Sequence, residues 1–83
     1  MFKRGRVYDA LKSNETLTEA EKSELENMTY GMDVDKNLFG DNIAEEALKI
    51  KGIIEFLQQS DRISEDEEEE LHMIVNEIEA GRE

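Results

Sequence analysis

The chain contains no cysteine, no proline and no tryptophan, and only one histidine among its 83 residues. Without cysteine it can form no disulfide, no thiolate metal site and no cysteine nucleophile. Proline usually makes up about 5% of a chain, so its absence favours helices. No apolar run approaches the roughly 20 residues of a membrane span, and the first residues lack the apolar core of a signal peptide. We therefore expect a cytoplasmic protein that has no membrane partner.

Acidic residues outnumber basic ones by 22 to 10, which gives a formal net charge of −12 at pH 7. Residues 1–12 carry a net charge of +3, whereas residues 13–83 carry −15. Such a body repels nucleic acid and anionic lipid and attracts cationic surfaces. We therefore expect no direct binding to nucleic acid. The predicted partner is a basic protein that itself binds nucleic acid, and a role of the charge in solubility alone is the alternative.

Apolar residues at intervals of three and four predict an all-α fold, a small single-domain bundle of about four helices over the whole chain. The first helix is predicted from about Arg4 to Lys12. The second begins at a capping box, in which Thr18 and Glu21 bond each other's backbone N–H groups. It is predicted to end just before Gly31, since glycine suits a left-handed C-cap.

The third predicted helix begins at Asn42, with Glu45 completing a capping box, and it is the longest element. Ile53 and Phe56 widen its apolar seam, so it should contact more than one neighbour. Gly52 lies inside it at a cost of about 1 kcal/mol relative to alanine. A close helix crossing or a slight bend would explain this glycine, and a functional hinge is the remaining alternative. The seam residues are Ile43, Ala47, Ile50, Ile54 and Leu57.

The fourth predicted helix begins with a capping box formed by Ser64 and Glu67 and ends at Gly81. Only residues 60–63 separate it from the third helix, so the two are predicted to form an antiparallel hairpin at the C-terminal end of the domain. Its buried stripe is predicted to consist of Leu71, Ile74, Val75 and Ile78.

Six consecutive acidic residues, Glu65 to Glu70, occupy the first turns of this fourth helix. The positive end of the helix dipole explains some of them. The others repel one another, because carboxylates four residues apart are neighbours on a helix. Four of the six are predicted to face water, and one acid further along joins them as a contact for a cationic partner. The predicted partner-binding residues are Glu65, Asp66, Glu69, Glu70 and Glu77.

Two functions from different classes are compatible with this pattern. The first hypothesis is a small acidic inhibitor that occludes the basic groove of a nucleic-acid-binding protein by mimicking nucleic acid. In composition alone, the chain resembles the short early proteins that bacteriophages direct against host machinery. The alternative is a structural or regulatory homo-oligomer, such as a homodimer, in which Ile53 and Phe56 lie between subunits. The basic start of the chain is expected to pair with the protein's own acidic surface or with a neighbouring subunit.

A calcium-binding module is the third alternative, since Asp33 to Asn37 matches the opening of an EF-hand loop. The positions for the loop glycine and the last carboxylate hold Leu38 and Ala44, so we expect an ordinary polar loop over residues 33–41. His72 is predicted to be a surface residue, because no convergent ligands or nucleophile accompany it. We expect no cofactor, no metal and no enzymatic activity.

Overall fold

The computed structural model describes residues 5–34 and 41–81. Over these residues the chain forms four α-helices and no strand, which confirms the predicted all-α bundle. The helices are α1 (Arg6–Ala10), α2 (Glu19–Val34), α3 (Asp41–Gln59) and α4 (Glu65–Gly81).

The hydrophobic core takes side chains from all four helices and from both described loops. The predicted stripe of α4 is confirmed, and so is that of α3 except for Leu57, which is half-buried. Leu17 and Ile63 contribute from the loops that precede α2 and α4. The other buried apolar residues are Val7, Leu11, Leu25, Met32, Ile43, Ala47, Ile50, Ile54, Leu71, Ile74, Val75 and Ile78.

Two of the three predicted capping boxes are present with both hydrogen bonds. At α2 the N–H of Thr18 donates to Glu21 Oε1 (2.9 Å) and the N–H of Glu21 donates to Thr18 Oγ1 (3.1 Å). At α4 the N–H of Ser64 donates to Glu67 Oε1 (2.8 Å) and the N–H of Glu67 donates to Ser64 Oγ (3.1 Å). These reciprocal bonds satisfy backbone donors that have no partner within the helix, and so they fix where α2 and α4 begin.

The predicted end of α2 is wrong, because the helix continues through Gly31 to Val34. Among the described glycines only Gly5 has a positive φ, so Gly31 does not form a left-handed cap. Met32 explains the difference, since its side chain is 1% exposed and extends the buried stripe by another turn. Burial of a methionine side chain stabilises by about 1.5–3 kcal/mol, which exceeds the cost of one helical glycine.

The predicted capping of α3 by Asn42 is also wrong. The helix begins at Asp41, so Asn42 lies inside its first turn, and the acid at the helix start suits the dipole. Of the residues in the loop predicted over 33–41, Asp33 and Val34 belong to α2 and Asp41 belongs to α3. Residues 35–40 lie outside the described part of the chain, and with them most of the EF-hand-like motif.

The α1 helix is shorter than predicted. It begins after Gly5, whose φ of 97° lies in the left-handed region that glycine enters at little cost. Val7 and Leu11 are buried, and Tyr8 is half-buried. Through this face α1 packs against α2 and α4.

The α3 helix ends in a Schellman motif that leads into a short linker to α4. The N–H of Arg62 donates to the carbonyl oxygen of Leu57 (2.8 Å), and the N–H of Asp61 donates to that of Gln58 (3.1 Å). Asp61 occupies the left-handed position with a φ of 59°, where glycine is usual. The α3 and α4 helices share the most extensive interface in the bundle. Their antiparallel direction stays a prediction.

Replacing Gly52 with alanine should raise the free energy of unfolding by about 1 kcal/mol. Gly52 is exposed, and a Cβ atom built on it meets no other atom within 4 Å. A close crossing among the described helices therefore does not explain this glycine. Urea denaturation of the two proteins measures the difference. A variant less stable than the wild type would show that the helix needs glycine at this point.

Candidate interaction surface

The acidic run, defined as Glu65 to Glu70, forms the first turns of α4. Glu65, Asp66 and Glu69 are exposed, as predicted. Glu70 is half-buried, which differs from the prediction that it faces water. Its carboxylate lies close enough to Arg6 on α1 to raise the pKa of that guanidinium, in addition to the larger effect of Glu77. The run therefore has three exposed side chains instead of the four expected.

Asn14, in the loop between α1 and α2, holds the start of α4 in place. Its Nδ2 donates to the carbonyl oxygen of Arg62 (2.9 Å) and to Glu67 Oε1 (3.1 Å). Its Oδ1 accepts from the N–H groups of Thr16 (2.9 Å) and Leu17 (2.8 Å). One side chain thus connects the two loops at this end of the bundle. No local sequence pattern indicates these two bonds to the start of α4, because their partners are 48 and 53 residues away.

Four of the six basic residues that the structure describes form ion pairs with acids outside the run. Arg62 bonds Glu21 at 2.6 Å, and Lys51 lies 3.8 Å from Glu79. The other two pairs are Arg6 with Glu77 and Lys22 with Glu19. No described base lies within ion-pair distance of any acid of the run. The acids of the run therefore have no ion-pair partner among the described bases.

The side chain of Lys22 is held by a hydrogen bond in addition to its long ion pair. It is 5% exposed, and its Nζ donates to the carbonyl oxygen of Asn14 at 2.7 Å. The carboxylate of Glu19 is 3.9 Å from the same nitrogen. Lys22 therefore serves to support the loop that holds α4, and its charge is directed into the bundle instead of onto the surface.

Glu77, predicted to bind a partner, is ion-paired with Arg6. The hydrogen bond from Arg6 lowers the pKa of Glu77, and the positive charge of the guanidinium acts in the same direction. This pair agrees with the expectation that the basic start of the chain contacts the protein's own acids. Two further bases of that start, Lys3 and Arg4, lie outside the described residues.

The stabilisation by Glu77 should depend on pH. Because folding lowers its pKa, the ion pair stabilises the fold above the unfolded pKa of about 4.3 and loses this effect as the pH falls through the folded pKa. Urea denaturation of Glu77→Gln should therefore show a deficit relative to the wild type at pH 7 that shrinks as the pH is lowered below about 4.3. Glu69→Gln is the control, since Glu69 has no ion pair in the described chain and should show no such deficit. A deficit of Glu77→Gln that does not change on acidification would contradict the ion-pair explanation.

Asp61 adds a further exposed acid four residues before the run. It adopts a left-handed backbone conformation, which costs a non-glycine residue roughly 1–2 kcal/mol. Its charge also lies at the C-terminal end of α3, where the helix dipole disfavours an anion. Asp61 is thus an acid at a position where glycine would be more stable.

An open depression of about 720 Å³ lies between the two loops. Asn14, Arg62 and Glu67 contribute to its walls, and these groups bond one another or Glu21. The lining does not include His72, the one histidine of the chain. The polar groups of this depression therefore serve to join the loops.

His72 is less exposed than predicted. It is half-buried, and its Nε2 is buried without a hydrogen-bond partner among the described atoms. Over residues 5–34 and 41–81, no three histidine or carboxylate side chains are grouped so that they could hold a metal ion.

Comparison of the chain with protein-family models, with curated proteins and with solved structures gives no match. None of the helices described is both long enough and apolar enough to cross a membrane.

Proposed function

We propose that this protein is an acidic inhibitor that binds a basic groove of a nucleic-acid-binding protein and thereby excludes nucleic acid from it. The contact surface consists of Glu65, Asp66 and Glu69, with Glu70 at its edge beside α1. Glu77 lies further along α4, and its ion pair with Arg6 links α4 to α1. No other ligand is required, since the charge itself is what the partner recognises.

The observation that carries the proposal is that six consecutive acids on one helix form no ion pair with a described base. The described bases that form ion pairs engage Glu19, Glu21, Glu77 and Glu79, and only Arg6 lies near the run, beside Glu70. A fold that needed its charge only for solubility could distribute its bases among its acids. Concentrated, uncompensated charge costs stability through repulsion, and it produces a field that attracts a cationic surface.

The bundle gives these carboxylates fixed positions. The capping box at Ser64 and the bonds from Asn14 fix the first turn of α4, and the buried Leu71 and Ile74 fix the helix against the core. A preorganised array loses little conformational entropy on binding, unlike a disordered polyanion. Binding would replace the contacts that the basic groove makes to phosphates, so inhibitor and nucleic acid compete.

The test is a charge reversal, Glu65→Lys with Asp66→Lys and Glu69→Lys in one protein. The wild-type chain, immobilised at low salt, should capture basic proteins. Duplex DNA should release them by competition, and 1 M salt should release them because it shortens the electrostatic screening length to about 3 Å. For a captured protein that is then purified, the triple variant should bind at least about 100-fold more weakly, since three repulsive contacts replace three attractive ones. Isothermal titration calorimetry measures the affinity, with and without competing DNA.

The matched control is Asp9→Lys with Asp41→Lys and Glu45→Lys, which changes the net charge equally at exposed positions outside the run. Asp41 also matches Glu65 in lying in the first turn of a helix. The control should retain most of the affinity. Equal losses in both variants would show that net charge alone matters. An undiminished affinity of the first variant, or binding that DNA does not reduce, would refute the proposed surface.

A further inference from the structure

A second surface of the bundle is apolar. A groove of about 140 Å³ lies between α2 and α3, with a floor of Leu25, Met28, Ile53 and Leu57. Leu25 is buried and the other three are half-buried, so the groove opens to solvent. Its volume accommodates one large side chain, and a methionine in the floor can adapt to the shape of what enters.

The apolar surface continues from the groove onto the outer face of α3. Phe56 is 67% exposed and lies one helical turn after Ile53, so the two are neighbours. Leu48, 72% exposed, lies eight residues before Phe56 on the same face, and Gly52 between them carries no side chain. Large exposed apolar residues next to an apolar groove are typical of interaction sites.

The charged residues around this surface are mainly acidic. Glu21 and Glu24 form the rim of the groove on α2. Glu21 is engaged by Arg62, whereas Glu24 has no ion pair with a described base. Glu55 flanks Phe56 on the outer face of α3, about 200° around the helix from Ile53 and Leu57, and it has no such pair either. One base, Lys49, lies a turn before Ile53. The rim acid Glu24 and the outer acid Glu55 are therefore complementary to lysine or arginine.

We propose that this groove docks a cationic amphipathic helix of a partner protein, which inserts an apolar side chain between Met28 and Ile53 and packs against Phe56. Its lysine or arginine residues contact Glu24 at the rim of the groove. A second copy of this chain fits less well, because each copy has a net charge of −12 and would bring the same acidic rim. The site lies on α2 and α3, so it is independent of the acidic run on α4 and of the function proposed for it.

The test uses two synthetic peptides of equal length and charge. One is an amphipathic helix of leucine and lysine, and in the other every leucine is replaced by glutamine. In an NMR titration of the full chain, the leucine peptide should bind at least about tenfold more tightly, since only its apolar face can be buried. The resonances of Met28, Ile53 and Phe56 should shift most.

Phe56→Ser should reduce the advantage of the leucine peptide to less than about threefold, because it removes the apolar edge of the site. Phe56 is exposed, so this variant should fold, and a far-UV circular dichroism spectrum checks it. Met73→Ser is the control, since Met73 is 48% exposed on α4, and it should leave the tenfold difference intact.

Three results would overturn the proposal. The first is equal affinity for both peptides, and the second is a set of shifts confined to the acidic run. The third is a dimer in sedimentation equilibrium that Phe56→Ser converts to a monomer, since the groove would then belong to a second copy. Replacing the acids of the run should change the affinities for both peptides by the same factor. A failure of the proposal for the acidic run is therefore distinguishable from a failure of the proposal for the groove.

Discussion

Replacing Asn14 with alanine should lower the free energy of unfolding by about 3 kcal/mol. The variant loses four hydrogen bonds of its side chain, two to backbone N–H groups in its own loop and two to the start of α4. The bond to the charged Glu67 is the strongest of these, because hydrogen bonds to ionised groups contribute about 1.5–3 kcal/mol. For a domain of this size the loss lowers the melting temperature by roughly 12–24 °C. Urea and thermal denaturation measure both quantities.

Ser13→Ala is the control for Asn14, since Ser13 is an exposed neighbour and its replacement should change stability by less than about 0.5 kcal/mol. A double-mutant cycle of Asn14→Ala with Glu67→Ala should give a coupling energy of about 1–2 kcal/mol, because the two side chains are in contact. A coupling near zero would mean that Asn14 stabilises its own loop and does not position α4.

The features that the sequence predicted correctly are those that depend on residues close together in the chain. A capping box joins positions three apart, so Thr18 with Glu21 and Ser64 with Glu67 could be recognised from the sequence alone. The buried stripes of α3 and α4 follow from the helical period in the same way. Gly31 was misinterpreted because its local signal competes with the burial of Met32, which depends on the packing of other helices.

The candidate surface could be predicted only in part. The acidic run is evident in the sequence, and the helical period places Glu65, Asp66 and Glu69 outward. The ion pairs that leave it uncompensated join distant residues, such as Arg62 with Glu21 and Arg6 with Glu77. No local pattern indicates which acid each base selects, because the choice depends on how the helices pack. Ile53 and Phe56 were predicted as interface residues, but the groove itself was not, since its floor combines α2 with α3.

Glu26, like Asn14, has a structural role that no sequence pattern indicates. It lies on α2 and is 5% exposed, and its Oε1 accepts hydrogen bonds from the N–H groups of Val7 (3.0 Å) and Tyr8 (3.2 Å). These are first-turn donors of α1, whose N-cap residue Gly5 provides no side-chain cap. A carboxylate from a neighbouring helix thus supplies the cap that the local sequence lacks.

Glu26→Ala should therefore lower the free energy of unfolding by about 2–4 kcal/mol, because it leaves two backbone donors without an acceptor and one of them is buried. Amide hydrogen exchange should locate the effect, with Val7 and Tyr8 exchanging faster while the amides of α3 change only through the global stability.

Glu26→Gln is the matched control, because it keeps the acceptor oxygen and the shape while removing the charge. Its loss should stay below about 1 kcal/mol, since the other oxygen of Glu26 is buried without a hydrogen-bond partner in the described chain and its charge costs desolvation. Equal losses in the two variants would mean that the negative charge, and not the acceptor, holds α1 to the bundle.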